Sequence, residues 1–308
     1  MGDDTMNRRN FMKAAAAGIG GAGLALRVPL TGTSHAAEAR EVGKGPELRL
    51  SACIEMIFTE RPFLERIDLV AECGLPAFEF WSWRNKDVDG IVAKRKATGL
   101  KVSALCVDPG CRLTLPPSKE THVSAVRDTI PVLKKLGSRT MIITVGNEIP
   151  RRTRKEQHES IVECLKASSP LAEEAGITMV VEPLNTLVDH GGYYLWSSAE
   201  GFEIVREVGS KNVRLLYDIY HQQIMEGNLI ANITKNIDLI GHFHVGDVPG
   251  RHEPGSGEIN YLNVFKAIAK TGYKGYIGLE FRPSKSGEQA LKHVKELARE
   301  AESLAAAG

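Results

Sequence analysis

From residue 47 onward the chain alternates eight times between two kinds of segment. The first kind is a short apolar run: ELRLSACI (47–54), AFEFWSW (77–83), KVSALCV (101–107), TMIITVG (140–146), ITMVVEPLN (177–185), VRLLYDIYH (213–221), IGHFHVGD (240–247) and YIGLEFRP (276–283). Runs of this length and apolarity read as strands buried on both faces, which is how parallel sheets are built. The second kind is longer and amphipathic, the pattern of a helix with one face on a core. PFLERIDLVAECG and SSAEGFEIVREVG end on glycine, the expected helix stop. HESIVECLKASSPLAEEAG ends on Gly176, but Pro170 is expected to kink or interrupt it. No Pro/Gly/Ser-rich linker divides the series. Eight strand-helix units in one uninterrupted domain predict an α/β fold, a (β/α)8 TIM barrel over residues 40–308. An open doubly wound sheet is the alternative, but no G-x-G-x-x-G follows the first strand.

Residues 1–39 read as something other than fold. NRRNFMK is a twin-arginine pattern, followed by the weakly apolar AAAAGIGGAGLAL and then by TSHAAEA, whose small residues suit cleavage between Ala36 and Ala39. Basic, apolar and small-residue regions in that order make a signal peptide and leader. The expectation is export by the twin-arginine route to the periplasm, or a cytoplasmic protein if the leader is not used. The apolar part is too short and too Gly-rich for a membrane span, which needs about 20 apolar residues.

The net charge of +1 calls for no nucleic-acid and no membrane-surface partner. Arg151, Arg152, Arg154 and Lys155 read as a solvated helix start or loop. The five cysteines contain no C-x-x-C pair. Most read as small apolar core residues, and Cys106 and Cys111 are near enough in sequence to pair after export.

In a barrel, chemistry gathers at the C-terminal ends of the strands. Four late strands carry a metal-capable side chain there: Glu182 in VVEPLN, Asp218 in LLYDIYH, His244 in HFHVGD and Glu280 in GLEFRP. They are spaced by about one strand-helix unit each, which places them at similar height on successive strands. An unpaired carboxylate in an apolar strand is costly, and three on one rim would repel and protonate. A divalent metal cation removes that problem, and oxygen-rich ligation with one imidazole suits Mg, Mn or Co, with Zn a further candidate. His242 points to the same side as His244, one pleat lower, and reads as a hydrogen-bonded interior residue. His221, just past its strand, either reaches a substrate oxygen or is structural.

IEMIFTERPFLERI, VVEPLN, YDIYHQQIMEGNL, DVPGRHEPGSGEINY and YIGLEFRP together resemble the hydroxypyruvate isomerase family, within the xylose-isomerase-like barrel superfamily. The resemblance runs from about Leu48 to the last helix. It implies a metal held by Glu182, Asp218, His244 and Glu280. At strand seven the family often carries Gln. His there looks more like the related ketose 3-epimerases, so the substrate stays open between the two. FWSWRNKDV also departs from the usual form and is expected at the mouth of the pocket, and typical members lack the twin-arginine leader.

The implied chemistry is proton transfer between adjacent carbons of a small keto acid or keto sugar. Glu182 and Glu280 are the catalytic acid–base pair in this reading. His221 would hydrogen-bond the developing oxyanion and Arg251 would clamp the substrate carboxylate. Asp247 is expected to stabilise its turn or to support a ligand from behind, His252 and Glu253 to brace the loop or face solvent, and Glu258 to cap or brace the loop or to touch substrate. A keto-inositol dehydratase on the same barrel and a non-catalytic periplasmic sugar-binding barrel are the other readings. A homo-oligomer is compatible with all of them.

Overall fold

A computed structural model of the chain describes residues 47–108 and 110–307. The expected leader lies outside the described residues. The rest is one closed barrel of eight parallel strands in sequence order. The strands are β1 (Arg49–Cys53), β2 (Ala77–Phe80), β3 (Lys101–Cys106), β4 (Thr140–Ile143), β5 (Thr178–Val181), β6 (Val213–Asp218), β7 (Ile240–Val245) and β8 (Tyr276–Leu279). β8 closes on β1 through Leu50↔Ile277 and Ala52↔Leu279. The helices between them are α1 (Phe63–Glu72), α2 (Val88–Thr98), α3 (Ser118–Leu136), α4 (Arg154–Ala175), α5 (Ser198–Val208), α6 (Ile219–Met225), α7 (Leu229–Asn236), α8 (Tyr261–Lys270) and α9 (Gly287–Ala306).

The eight predicted strands form where the apolar runs lie. Outward side chains such as Phe78, Phe80, Phe243 and Leu279 pack under the helices in one continuous core. The inside of the barrel is divided. One side is a small apolar cluster of Ala104, Ile142, Val180 and Leu216. The other carries Ser51, Glu79, Ser103, His242 and His244, all buried. That polar half leads up to the rim.

Two details depart from the sequence reading. α4 runs unbroken through Pro170. Proline cannot donate to the carbonyl four residues back, that of Lys166. The Ser169 hydroxyl donates to Lys166 O instead, at 3.2 Å. The sixth strand ends at Asp218 and not at residue 221, because the Asp218 carboxylate caps the next helix by accepting from His221 N at 3.1 Å. His221 therefore sits in the first turn of α6.

The basic run does mark a helix start. Thr153 and Glu156 form a capping box at the head of α4. Arg154, however, lies 4.3 Å over the Tyr194 ring and pairs with Glu200, so it is tied down and not merely solvated. Cys106 is a free thiol, so the bridge to Cys111 does not form. No helix among the described residues is long and apolar enough to cross a membrane.

Candidate active site

The four residues marked by their strand ends come together. Glu182 and Glu280 directly follow β5 and β8, Asp218 ends β6, and His244 is next to last in β7. Parallel pairing brings Asp218 level with His244. One ligand atom from each of the four lies within 4.8 Å of the others, and all four residues are buried. Nδ1 of His244 is 3.2 Å from Glu182 Oε1 and 3.2 Å from Glu280 Oε2.

The charges are not balanced among the carboxylates. Burial raises Glu182 above the usual carboxylate range, against His244, and the neighbouring Glu280 and Asp218 add to the rise. Burial likewise raises Asp218, opposed by Arg251 and His244. Glu280 is driven the other way. Burial opposes its ionisation, but His244 and Arg251 overcome that and hold it well below the usual range. His244 itself is held well above the ordinary imidazole range; burial opposes this, and Glu280 and Glu79 override it. Three buried carboxylates around one imidazole is a donor set that fits a hard or borderline divalent cation. The fit is chemical as well as geometric, since two of the three carboxylates are otherwise pushed toward protonation.

Arg251 reaches the same rim from the loop between β7 and α8. Its Nη2 is 3.3 Å from Asp218 Oδ2 and also contacts Glu280 Oε2. The residue holds φ 55°, the left-handed region uncommon for side chains with a Cβ. The loop is fixed by Asp247. Its carboxylate accepts from the backbone N–H of Val248, Gly255, Gly257 and Ile259 at 2.8–3.1 Å. Gly257 has to be glycine, because a Cβ would stand 2.1 Å from Val248 O. His252 Nδ1 bonds Arg282 O, Glu253 accepts from Ser284, and Glu258 accepts from Gln223. All three brace the loop. Buried Nε of Arg251 has no hydrogen-bond partner among the described residues.

His221 is wholly buried beneath the acids, with Nε2 3.4 Å from Asp218 Oδ2. Its tautomer is set by Asn185. The Asn185 carbonyl Oδ1 accepts from Val188 and Asp189 N–H, so the amide nitrogen faces the ring and donates to His221 Nδ1 at 2.7 Å. Asn185 N donates to the same atom at 3.2 Å. Nδ1 is the acceptor, and the ring proton is left on Nε2. Burial, with Arg251 nearby, keeps the ring well below the ordinary imidazole range, hence neutral. His221 is a neutral donor aimed at the site, and Nε2 has no hydrogen-bond partner among the described residues.

Three contributors were not singled out from sequence. Trp81, just beyond β2, donates from Nε1 to Glu280 Oε1 at 2.7 Å. Asn185 fixes His221. Glu79, on β2, contacts both His242 and His244 at 2.9 Å. Burial opposes its charge, but the two histidines bring its carboxyl down to about 2. The signal for Glu79 was present: it is a lone acid in an apolar strand, as Glu182 is.

Residues 67–302 match the family model of the xylose isomerase-like TIM barrel. Hydroxypyruvate isomerase of Escherichia coli (strain K12) is 30% identical over 252 residues, covering 80% of this chain and 97% of that protein. 2-Oxo-tetronate isomerase of Cupriavidus necator is 29% identical over 254 residues, covering 80% and 97%. Among solved structures, one described as AP endonuclease, family 2, from Brucella melitensis superposes with a TM-score of 0.77 at 30% identity, covering 81% of this chain and 98% of that one.

Proposed function

The chain belongs to the xylose isomerase-like TIM barrel family and is an isomerase similar to hydroxypyruvate isomerase, and on that premise we propose that it interconverts hydroxypyruvate and 2-hydroxy-3-oxopropanoate, or a closely related small keto acid or keto sugar, with a divalent cation. The observation that carries the reading is the convergence of Glu182, Asp218, His244 and Glu280 within 4.8 Å. Those four would hold Mg, Mn, Co or Zn. Bound there, the cation supplies Lewis-acid polarisation of the substrate's carbonyl and neighbouring hydroxyl oxygens.

The chain's own groups do the rest. One carboxylate of the Glu182/Glu280 pair takes a proton from the hydroxymethyl carbon C3. The electron pair forms the C2=C3 bond of an enediolate, and the C2 oxygen takes up negative charge. The other glutamate returns a proton to C2, while the O3 proton passes to the C2 oxygen as the C3 aldehyde forms. Which glutamate acts first depends on the direction of reaction. The Nε2–H of His221 stabilises the developing oxyanion. Arg251, with an unused Nε, orients the substrate carboxylate in a way a lysine point charge could not.

His244 supports a second reading, a ketose 3-epimerase, because histidine at the strand-seven position resembles those enzymes. The test is a substrate panel in D2O followed by NMR: hydroxypyruvate, then keto sugars, then inosose. Conversion of hydroxypyruvate with deuterium at the α-carbon supports the isomerase. Turnover confined to keto sugars selects the epimerase, and an unsaturated product selects a dehydratase. The Arg8-Arg9 pattern supports export as part of the same proposal. Fractionation of cells expressing the full chain beside an Arg8→Lys/Arg9→Lys variant tests it.

A further inference from the structure

The most unusual buried feature below the rim is Glu79. It is 2% exposed, inside the barrel, one layer beneath the acids. A buried carboxylate is costly unless its oxygens are satisfied. Oε2 accepts from Ser103 Oγ at 2.8 Å and bonds His242 Nε2 at 2.9 Å. Ser103 is held in turn by Ser51, with 2.6 Å between the hydroxyls. Oε1 is left for His244, whose Nε2 stands 2.9 Å away, off the ideal hydrogen-bond line.

That distance decides where a proton sits. A bare Nε2 would set its lone pair against a carboxylate oxygen at 2.9 Å, so Nε2 carries a proton. Without a cation Nδ1, 3.2 Å from Glu182 and Glu280, is protonated as well, and a cation on Nδ1 would leave only the Nε2 proton held by Glu79. The other ring nitrogen, Nδ1, is then the one turned to Glu182 and Glu280. The surroundings make room for this arrangement. Gly278 of β8 pairs with His244, and a Cβ there would lie 2.2 Å from Glu79 Oε1 and 2.6 Å from His244 Cδ2. Only glycine lets the carboxylate sit under the imidazole.

We propose that Glu79 is a positioning residue: it holds His244 as the Nε2–H tautomer and so presents Nδ1 as the ligand atom to the rim. The inference rests on the metal-site reading above. A carboxylate behind a ligating imidazole fixes ring orientation and raises basicity, and its loss typically weakens metal binding about 10- to 100-fold. Glu79, His242 and His244 are themselves close enough to hold an ion. Positioning fits better, because Glu79 Oε2 is already occupied by the Ser103 hydroxyl and His242.

Two measurements on the full chain test the proposal. The first is calorimetric titration of Mn(II) into EDTA-stripped wild-type protein and Glu79→Gln. The expectation is one equivalent in both, with binding about 10- to 100-fold weaker in the variant. The second is long-range 1H–15N NMR of histidine rings in Zn(II)-loaded wild-type protein, assigned by loss of one ring in His244→Gln. It is expected to place the His244 proton on Nε2. This measurement needs no Glu79 variant and decides the matter if Glu79→Gln does not fold. Equal affinity in a folded Glu79→Gln, or a proton on Nδ1, overturns the positioning role and leaves the metal site standing. Two equivalents in wild type also overturn it, since the lower group would then be a site of its own. No Mn(II) binding by wild type removes the metal-site reading and the positioning role together.

Discussion

Oε2 of Glu280 lies 3.2 Å from Nδ1 of His244, while Oε1 of the same carboxylate accepts the indole N–H of Trp81 at 2.7 Å. Glu280 is thus oriented from two sides, as the proposed roles of ligand and proton carrier require. Glu280→Gln is expected to lower kcat by at least about 10²-fold, the ordinary range for losing a general acid–base group. Steady-state kinetics check it, and near-wild-type turnover would sink the acid–base assignment.

Trp81 gives an optical handle on the same carboxylate. Trp81→Phe keeps an aromatic ring and removes the donor. The expected result is a fall of about 10- to 100-fold in kcat with a smaller change in KM, since one hydrogen bond to a charged group is worth about 1.5–3 kcal/mol. With only three tryptophans in the chain, Mn(II) titration should change the emission of the wild type and largely not that of Trp81→Phe.

Asp247 touches no reacting atom, yet four backbone N–H groups depend on it. Asp247→Asn turns an amide N–H2 toward two of those donors. Destabilisation of about 2–4 kcal/mol is expected in chemical denaturation. KM should rise more than kcat falls, because the loop carries Arg251. An unchanged KM would disconnect the loop from substrate binding.

His122 on α3 offers a pH test away from the site. It is fully buried, and neither ring nitrogen has a hydrogen-bond partner among the described residues. Burial lowers its pKa to about 4, below the ordinary value of about 6.5. The folded state favours the neutral ring, so this contribution is fully present above about pH 6.5 and lost as pH falls through about 4. The loss reaches about 3 kcal/mol across that window. His122→Leu should therefore lose less stability than wild type between pH 7 and 4 in denaturant melts. Parallel pH curves would contradict the assignment.

The barrel was legible because every strand is buried on both faces and writes a continuous apolar run. The rim was legible because an ionisable residue stands at the end of four such runs at unit spacing. His242 was placed on the correct side of β7 by period two alone. What the sequence hid was reach. Glu79 breaks AFEFW as visibly as Glu182 breaks VVEPL, but its partner is on β7, 163 positions along the chain, and only barrel closure brings the two together. Asn185 carried no charge to attract notice, though it decides the His221 tautomer. The overrun of the sixth strand has a local cause. Tyr220 and His221 extend an aromatic, strand-like run, and only the Asp218 cap shows that the chain has turned into a helix. Pro170 misled for the opposite reason, since a neighbouring serine hydroxyl absorbed the defect.

In the proposed mechanism the Glu182, Asp218, His244 and Glu280 rim holds a cation required for enediolate chemistry. The most direct measurement is hydroxypyruvate isomerisation in D2O by EDTA-stripped protein, before and after one equivalent of Mn(II). No turnover and no deuterium at the α-carbon are expected after stripping, with both restored by the single equivalent. Full-rate conversion by the stripped protein, at a verified metal content far below one per chain, would contradict it.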